Sequence, residues 1–250
     1  IPLIIPVTTP LWMLIIAIAF AVIFAKEIFG GTGMNFLNVA LVARAFLFFS
    51  YPSKMSGDSV WVATDKILGL GNTLPDGATM ATPLGHIAQG TPLDASLCDM
   101  VTGLIPGSIG ETSVIAIAIG AVILLWTGIA SWKTMLSVFL GGALTAALFQ
   151  SLGSTPVAWY EHLVLGGFAF GAVFMATDPV TSARTETGKW IYGFLIGLMA
   201  IVIRVMNPGY PEGMMLAILL MNVFAPVIDY CVVNRNISRR ANRIKNKEAK

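Results

Sequence analysis

Apolar residues along this chain fall in long unbroken blocks, with neither the two-residue alternation of a half-buried strand nor the narrow stripe of a surface helix. The blocks are 11–29, 113–130, 134–152, 160–177, 190–206 and 213–233, and none holds more than two of Asp, Glu, Lys and Arg. A helix that crosses a bilayer needs roughly 20 mostly apolar residues, so each block predicts a membrane-spanning helix. A seventh block, 36–50, is shorter and carries Arg44. A cation at that depth faces protein or a cavity rather than lipid, so this block predicts a short, tilted or broken helix. Between 51 and 112 the pattern lapses into Gly, Pro, Thr, Ser and Asp. The pattern therefore predicts an all-α integral membrane protein, a polytopic bundle of six to seven membrane segments with one long connecting loop. It divides into N-terminal membrane segments (1–50), the loop (51–112), a five-helix membrane domain (113–233) and a tail (234–250).

Composition agrees. Of 250 residues, 56% are hydrophobic and 11% charged, against about 25% charged in a soluble domain. Disorder is excluded on the same ground, and a net charge of +2 without a basic stripe outside the tail argues against nucleic acid. Charge placement orients the spans. The tail holds seven of the fifteen Lys and Arg, which predicts a cytoplasmic C-terminus. Counting back through alternating spans puts Lys133, Arg184 and Lys189 inside and the 51–112 loop outside. That loop carries six acids and only two lysines. Cys98 and Cys231 are too few for a four-thiolate cluster and read as plain thiols. His86 and His162 lack ligand-spaced partners, so no metal site is predicted. The chain starts Ile1-Pro2-Leu3 without an initiator Met or a signal pattern, and is expected to be a piece of a longer protein.

The loop centre reads Asp76-Gly77-Ala78-Thr79-Met80-Ala81-Thr82-Pro83-Leu84. By itself this is a turn, followed by a helix starting at Pro83 and capped by Thr82 or Thr79. The string also resembles the flavinylation motif Asp-Gly-x-Ser/Thr-Gly-Ala-Thr, with Met80 standing where that motif has Gly. In that motif the last Thr carries FMN through a phosphoester, attached outside the membrane. The resemblance makes Thr82 the acceptor and Thr79 the runner-up, with Asp76 at the motif's start.

Further strings widen the resemblance: Phe29-Gly-Gly-Thr-Gly33, Asn35-Phe-Leu-Asn38, Arg44-Ala-Phe-Leu-Phe-Phe49, Ile105-Pro-Gly-Ser-Ile-Gly-Glu111, Phe174-Met-Ala-Thr-Asp-Pro-Val180 and Arg204-Val-Met-Asn-Pro-Gly-Tyr-Pro-Glu-Gly-Met-Met215. Together they resemble the B subunits of the Na+-translocating NADH:quinone oxidoreductase. The D subunit of the Rnf ferredoxin:NAD+ oxidoreductase shares the flavinylated loop. The resemblance implies a translocase component of the bacterial inner membrane, with an inverted-repeat, transporter-like fold of which this chain is the C-terminal part. It implies covalent FMN in a periplasmic loop, a riboflavin deeper in the membrane, ubiquinone as electron acceptor and Na+ as transported ion. The implied partners are the flavin-bearing C subunit, the membrane-embedded D and E subunits, the NADH-oxidising F subunit and the A subunit of such a complex. The quinone site would belong to the part that precedes this chain.

Remaining candidates follow from chemistry. Asn35 and Asn38, at i and i+3, are expected on one face of the Arg44 helix, where they bond either the flavin ring edge or a neighbouring helix. Asp178, Glu212 and Asp229 lie near span ends and are tentative ion-pathway carboxylates, or else helix caps and salt bridges; Glu111 is a weaker candidate. The competing functional readings are a flavin-free solute channel and a structural membrane anchor, neither of which needs the Thr-rich loop.

Overall fold

The computed structural model describes residues 1–6, 9–55, 82–88, 96–103, 105, 107–155, 157–207 and 212–248. The helices are α1 (Leu11–Ala25, continued by a 3-10 turn Glu27–Phe29), α2 (Val39–Ser50), α3 (Pro52–Met55), α4 (Pro83–Ala88), α5 (Leu97–Thr102), α6 (Val114–Trp126), α7 (Trp132–Ser151), α8 (Glu161–Val164), α9 (Phe168–Phe170, running into a π turn Gly171–Met175), α10 (Glu186–Met206) and α11 (Met214–Glu248). No β-strand lies among the described residues. Four helical stretches are long and apolar enough to cross a membrane: Leu11–Phe29, Trp132–Ser151, Glu186–Met206 and Met214–Ile244. Two shorter apolar helices, Val39–Ser50 and Val114–Trp126, accompany them. The all-α membrane architecture expected from the blocks is present.

The starts of the helices are set locally. Ser113, Ser131 and Thr185 each turn a side-chain oxygen onto a backbone N–H of the first turn, of α6, α7 and α10 respectively. This satisfies donors that a helix leaves open at its beginning.

α7 and α10 form the centre and run parallel. Lys133 and Glu186 pair at their starts, Ser137 donates to the Lys189 carbonyl at 3.3 Å, and Gly142 lies against Gly197 further along. Small residues make this closeness possible. A β-carbon at Gly141 would run into the Phe194 carbonyl oxygen, and one at Gly197 into the Val138 carbonyl oxygen. Lipid offers no hydrophobic gain for helix association, so such backbone-to-backbone packing is what holds membrane helices together. α11 returns antiparallel to α10, with Tyr192 bonded to Asn222 and Thr185 to Asp229. α1 and α2 form an antiparallel pair closed by Phe20 stacked on Phe46 and Trp12 against Tyr51.

Three blocks differ from their predicted form. Block 113–130 forms only the 13-residue α6, shorter than the helices long enough to cross a membrane. Block 160–177 is not one helix. α8 ends at Leu165, whose ψ is 136°; Gly166 takes φ +62°, a left-handed turn that glycine adopts without strain; and α9 then begins at Phe168. The carbonyls freed at the break are taken by buried Arg204, which donates to the oxygens of His162 at 2.5 Å and Leu165 at 3.1 Å. Irregular backbone at membrane depth persists only when its polar groups find such partners. The last block does not end at 233: α11 continues through the basic stretch to Glu248, with Pro226 inside it.

Candidate functional site

The Gly166-Gly167 break lets other elements approach. A β-carbon at Gly166 would collide with Leu84 of α4, and one at Gly167 would lie 2.9 Å from Glu111 Oε1. Leu84, Met100, Ile105, Val157 and Leu165 make a small apolar cluster of their own, which pins α4 and α5 over the break. Thr82 starts α4, and its Oγ1 accepts the Gly85 N–H at 3.1 Å, so the predicted helix start at Pro83 and its Thr82 cap are present. Thr82, Ser108, Glu111, Thr112 and Glu212 line one small cavity of about 30 Å³, room for about one water molecule.

Beneath it sits Arg44. Its Nη1 donates to Glu111 Oε1 at 2.6 Å and its Nη2 to Glu212. Arg44 and Glu111 are buried, with side chains 5% and 4% exposed. A buried cation needs paired, hydrogen-bonded anions, and the partners come from 67 and 168 residues away. This matches the expectation that Arg44 faces protein. Burial pushes the Glu111 carboxyl up to about 7 against the opposing pull of Arg44, with Glu212 adding to the rise.

A second site lies part-way along α11, where the sixteen-residue run from Met214 to Asp229 spans about 22 Å at helical rise. Phe29, Gly33, Met34, Asn35 and Phe36 face Val180, Thr181, Asn222, Ala225, Pro226 and Asp229 across a cavity of about 480 Å³, a ligand-sized space. Phe29 and Phe36 pair on its wall, with centroids 5.2 Å apart. Two buried amide atoms in this group lack hydrogen-bond partners, Asn35 Oδ1 and Asn222 Nδ2.

The other predicted residues separate. Asn38 is not beside Asn35 on a helix face; α2 begins only at Val39, and Asn38 Oδ1 accepts the N–H groups of Ala40 and Leu41 at 3.0 and 3.3 Å. Asn is among the strongest N-cap residues, and that local bond fixes its oxygen. Asp178 accepts from Val180 N and Thr181 Oγ1 at 3.1 and 3.0 Å. Asp229 accepts from Arg184 N, Thr185 N and Thr185 Oγ1 at 2.7, 3.0 and 2.6 Å. Asp178 thus folds the 178–185 turn on itself, and Asp229 ties that turn to α11. Asp76 and Thr79 lie outside the described residues. Sequence reasoning passed over Arg204 and Asn222. The available signal was a second arginine inside an apolar block, and an amide four residues ahead of a helical proline.

Residues 1–238 match the NQR2, RnfD, RnfE family. The chain belongs to that family. Within it, the chain is 55% identical over 250 residues to a protein of Chromohalobacter salexigens named as the B subunit of Na(+)-translocating NADH-quinone reductase. Proteins of the same name from Klebsiella pneumoniae and Yersinia pestis are 52% and 51% identical to it. Each match covers 96% of this chain but only 58 or 59% of the relative. The chain thus spans just under three-fifths of the length of these family members.

Proposed function

We propose that this chain is the flavin-carrying C-terminal membrane part of the B subunit of a Na+-translocating NADH:quinone reductase. The observation that carries the reading is the 55% identity, over 96% of the chain, to a protein of that name. In this reading Thr82 bears FMN through a phosphoester and riboflavin occupies the cavity beside Asn35. Electrons reach ubiquinone by way of these two flavins, and their passage drives Na+ export. Asp178, Glu212 and Asp229 serve the ion route, and the A, C, D, E and F subunits complete the assembly. The 51–112 loop lies outside the bacterial inner membrane and the basic end of α11 in the cytoplasm.

The residues fit these groups. Thr82 heads a helix and lines a small cavity, half-buried rather than in the core, which keeps a residue open to modification. The cavity at Asn35 has aromatic walls and buried amide atoms without partners, the mixture of flat apolar contact and a few polar groups that binds a ring. A flavin supplies the redox chemistry; the protein binds it, orients it and keeps water away. Arg44 holds Glu111 and Glu212 in place beneath Thr82, and Arg204 holds the chain break that lets them converge.

The test is direct. The purified full-length protein, run on a denaturing gel, is expected to fluoresce under ultraviolet light, and its intact mass to exceed that of the chain by one FMN phosphoester. Thr82→Ala is expected to abolish both signals. Loss in Thr79→Ala with retention in Thr82→Ala would move the acceptor, and a native protein with neither signal would end the reading.

A further inference from the structure

The starts of α7 and α10 lie side by side, and a third cavity, of about 410 Å³, opens there. Its wall includes Ile129, Trp132, Lys133, Arg184, Glu186 and Lys189. Lys133 and Lys189 share the single Glu186 carboxylate, which balances only one of them. The Arg184 backbone N–H is taken by Asp229, while its guanidinium has no ion pair among the described residues. Asp178 and Asp229, the carboxylates that brace the adjoining turn, do not line this space. The cavity therefore carries a surplus of positive charge that the protein leaves unbalanced. The backbone adds to it. α7 and α10 run parallel for 20 and 21 residues, so two positive helix ends adjoin the same space. Ser131 and Thr185 cap only the Thr134 and Gly188 N–H groups, and the N–H groups before those have no acceptor within their helices.

The rim decides the kind of anion. Trp126, Ile129 and Trp132 are 88%, 60% and 54% exposed, and the last two line the cavity together with the cations. Trp132 meets Trp190 edge to face at 6.0 Å, and Lys133 lies over the Trp132 ring at 5.7 Å. Tryptophans collect where a bilayer meets water, and both helices are long and apolar enough to cross a membrane from this end. The cations thus stand at the level of lipid headgroups. A soluble anion would engage them and leave the apolar rim unused, whereas an amphiphile engages both.

We propose that this cavity binds the headgroup of an anionic phospholipid, its phosphate held by Arg184 with Lys133 and Lys189 beside it, and its acyl chains lying against Ile129 and the exposed tryptophans. Charge-assisted hydrogen bonds to the phosphate oxygens supply the affinity. The surplus charge supplies the selectivity, because a zwitterionic lipid brings its own cation to a site that is already positive. The assignment stands apart from the flavin reading and needs neither flavin in place.

The experiment uses the full-length protein in its membrane complex, purified in detergent and stripped of endogenous lipid. Native mass spectrometry counts the dioleoyl phosphatidylglycerol and dioleoyl phosphatidylcholine that the complex retains across a titration with each. The native complex is expected to hold at least one phosphatidylglycerol about tenfold more tightly than phosphatidylcholine. Arg184→Gln is expected to weaken that lipid about tenfold, the size of one charge-assisted hydrogen bond, and to leave phosphatidylcholine unchanged. Arg184→Lys is expected to restore most of the difference. Glu186→Gln removes the competing carboxylate and is expected to tighten phosphatidylglycerol several-fold, a gain that a folding defect does not produce. Equal retention of the two lipids by the native complex would overturn the proposal. So would a preference that survives Arg184→Gln unchanged, which places the lipid elsewhere. Displacement of the phosphatidylglycerol by millimolar inorganic phosphate would make the ligand a soluble anion and overturn it as well. If Arg184→Gln does not assemble, the Glu186→Gln gain decides alone, and its absence overturns the assignment.

Discussion

At the scale of single residues, Arg44 shows how an anomaly in the pattern becomes structure. An arginine in an apolar block announces a buried partner, but its sequence neighbourhood cannot say which. The partners are Glu111 and Glu212, and only the fold brings them to α2. Removing the cation leaves Glu212 without its ion-pair partner and buried Glu111 without its donor, so Arg44→Met is expected to destabilise the protein by about 1.5–3 kcal/mol. Thermal unfolding in detergent measures this, and a loss below about 1 kcal/mol would show that the acids find water instead. Glu111 gives a pH-dependent counterpart. Its folded value of about 7 is raised from an ordinary 4.5, chiefly by burial. Its contribution is therefore fully present below pH 4.5 and is lost as pH rises through 7. The expected signature is an infrared carboxylic-acid band that disappears with a midpoint near 7 and is missing in Glu111→Gln. A band lost near 4.5 would contradict the burial argument. Asn38 shows the opposite case: the Asn35–Asn38 spacing was legible, but the cap bond to Ala40 and Leu41 outcompeted any distant partner because it closes over two or three residues.

At the scale of elements, block length and hydropathy located the helices well. Their continuity was not legible. Blocks 160–177 and 190–206 look alike as apolar runs, yet the first breaks at Gly166 and the second does not. The difference lies in what surrounds them. The break in the first is stabilised by Arg204 of the second, and glycines within the second sit at its interface with α7. A glycine doublet at a turn and glycines at a contact read the same in sequence. The contact role has a sharp consequence. Gly141→Val is expected to force α7 and α10 apart and to cost about 1–3 kcal/mol by overpacking, whereas Leu144→Ala on the exposed side of α7, where Leu144 is 60% exposed, is expected to change little. Comparing the two unfolding midpoints checks the claim; equal midpoints would mean that the interface has slack.

At the scale of the whole molecule, one group of polar residues sits at the start of α11 and a second beside its middle. Thr82, Arg44, Glu111 and Glu212 make the first, and Asn35, Asn222, Arg184 and Asp229 the second. The proposed topology assigns them to the outer and inner faces. Cys98 and Cys231 are both exposed and fall on opposite sides of this assignment. A membrane-impermeant maleimide is expected to label Cys98 but not Cys231 from the periplasmic side, and Cys231 but not Cys98 in inverted vesicles. Labelling of Cys231 from outside would reverse the topology. By itself the sequence determined the solvent, because too few charges remain to cover a water-facing surface. It also determined the helical blocks, because a backbone in lipid satisfies itself only within a helix or a closed barrel. Through its strings, it determined the family. Tertiary structure alone decided which charges meet, where a helix breaks and which buried amides stay unpartnered. Those are contacts between residues far apart in the chain, and a linear pattern records the chemistry of each residue without recording its neighbours.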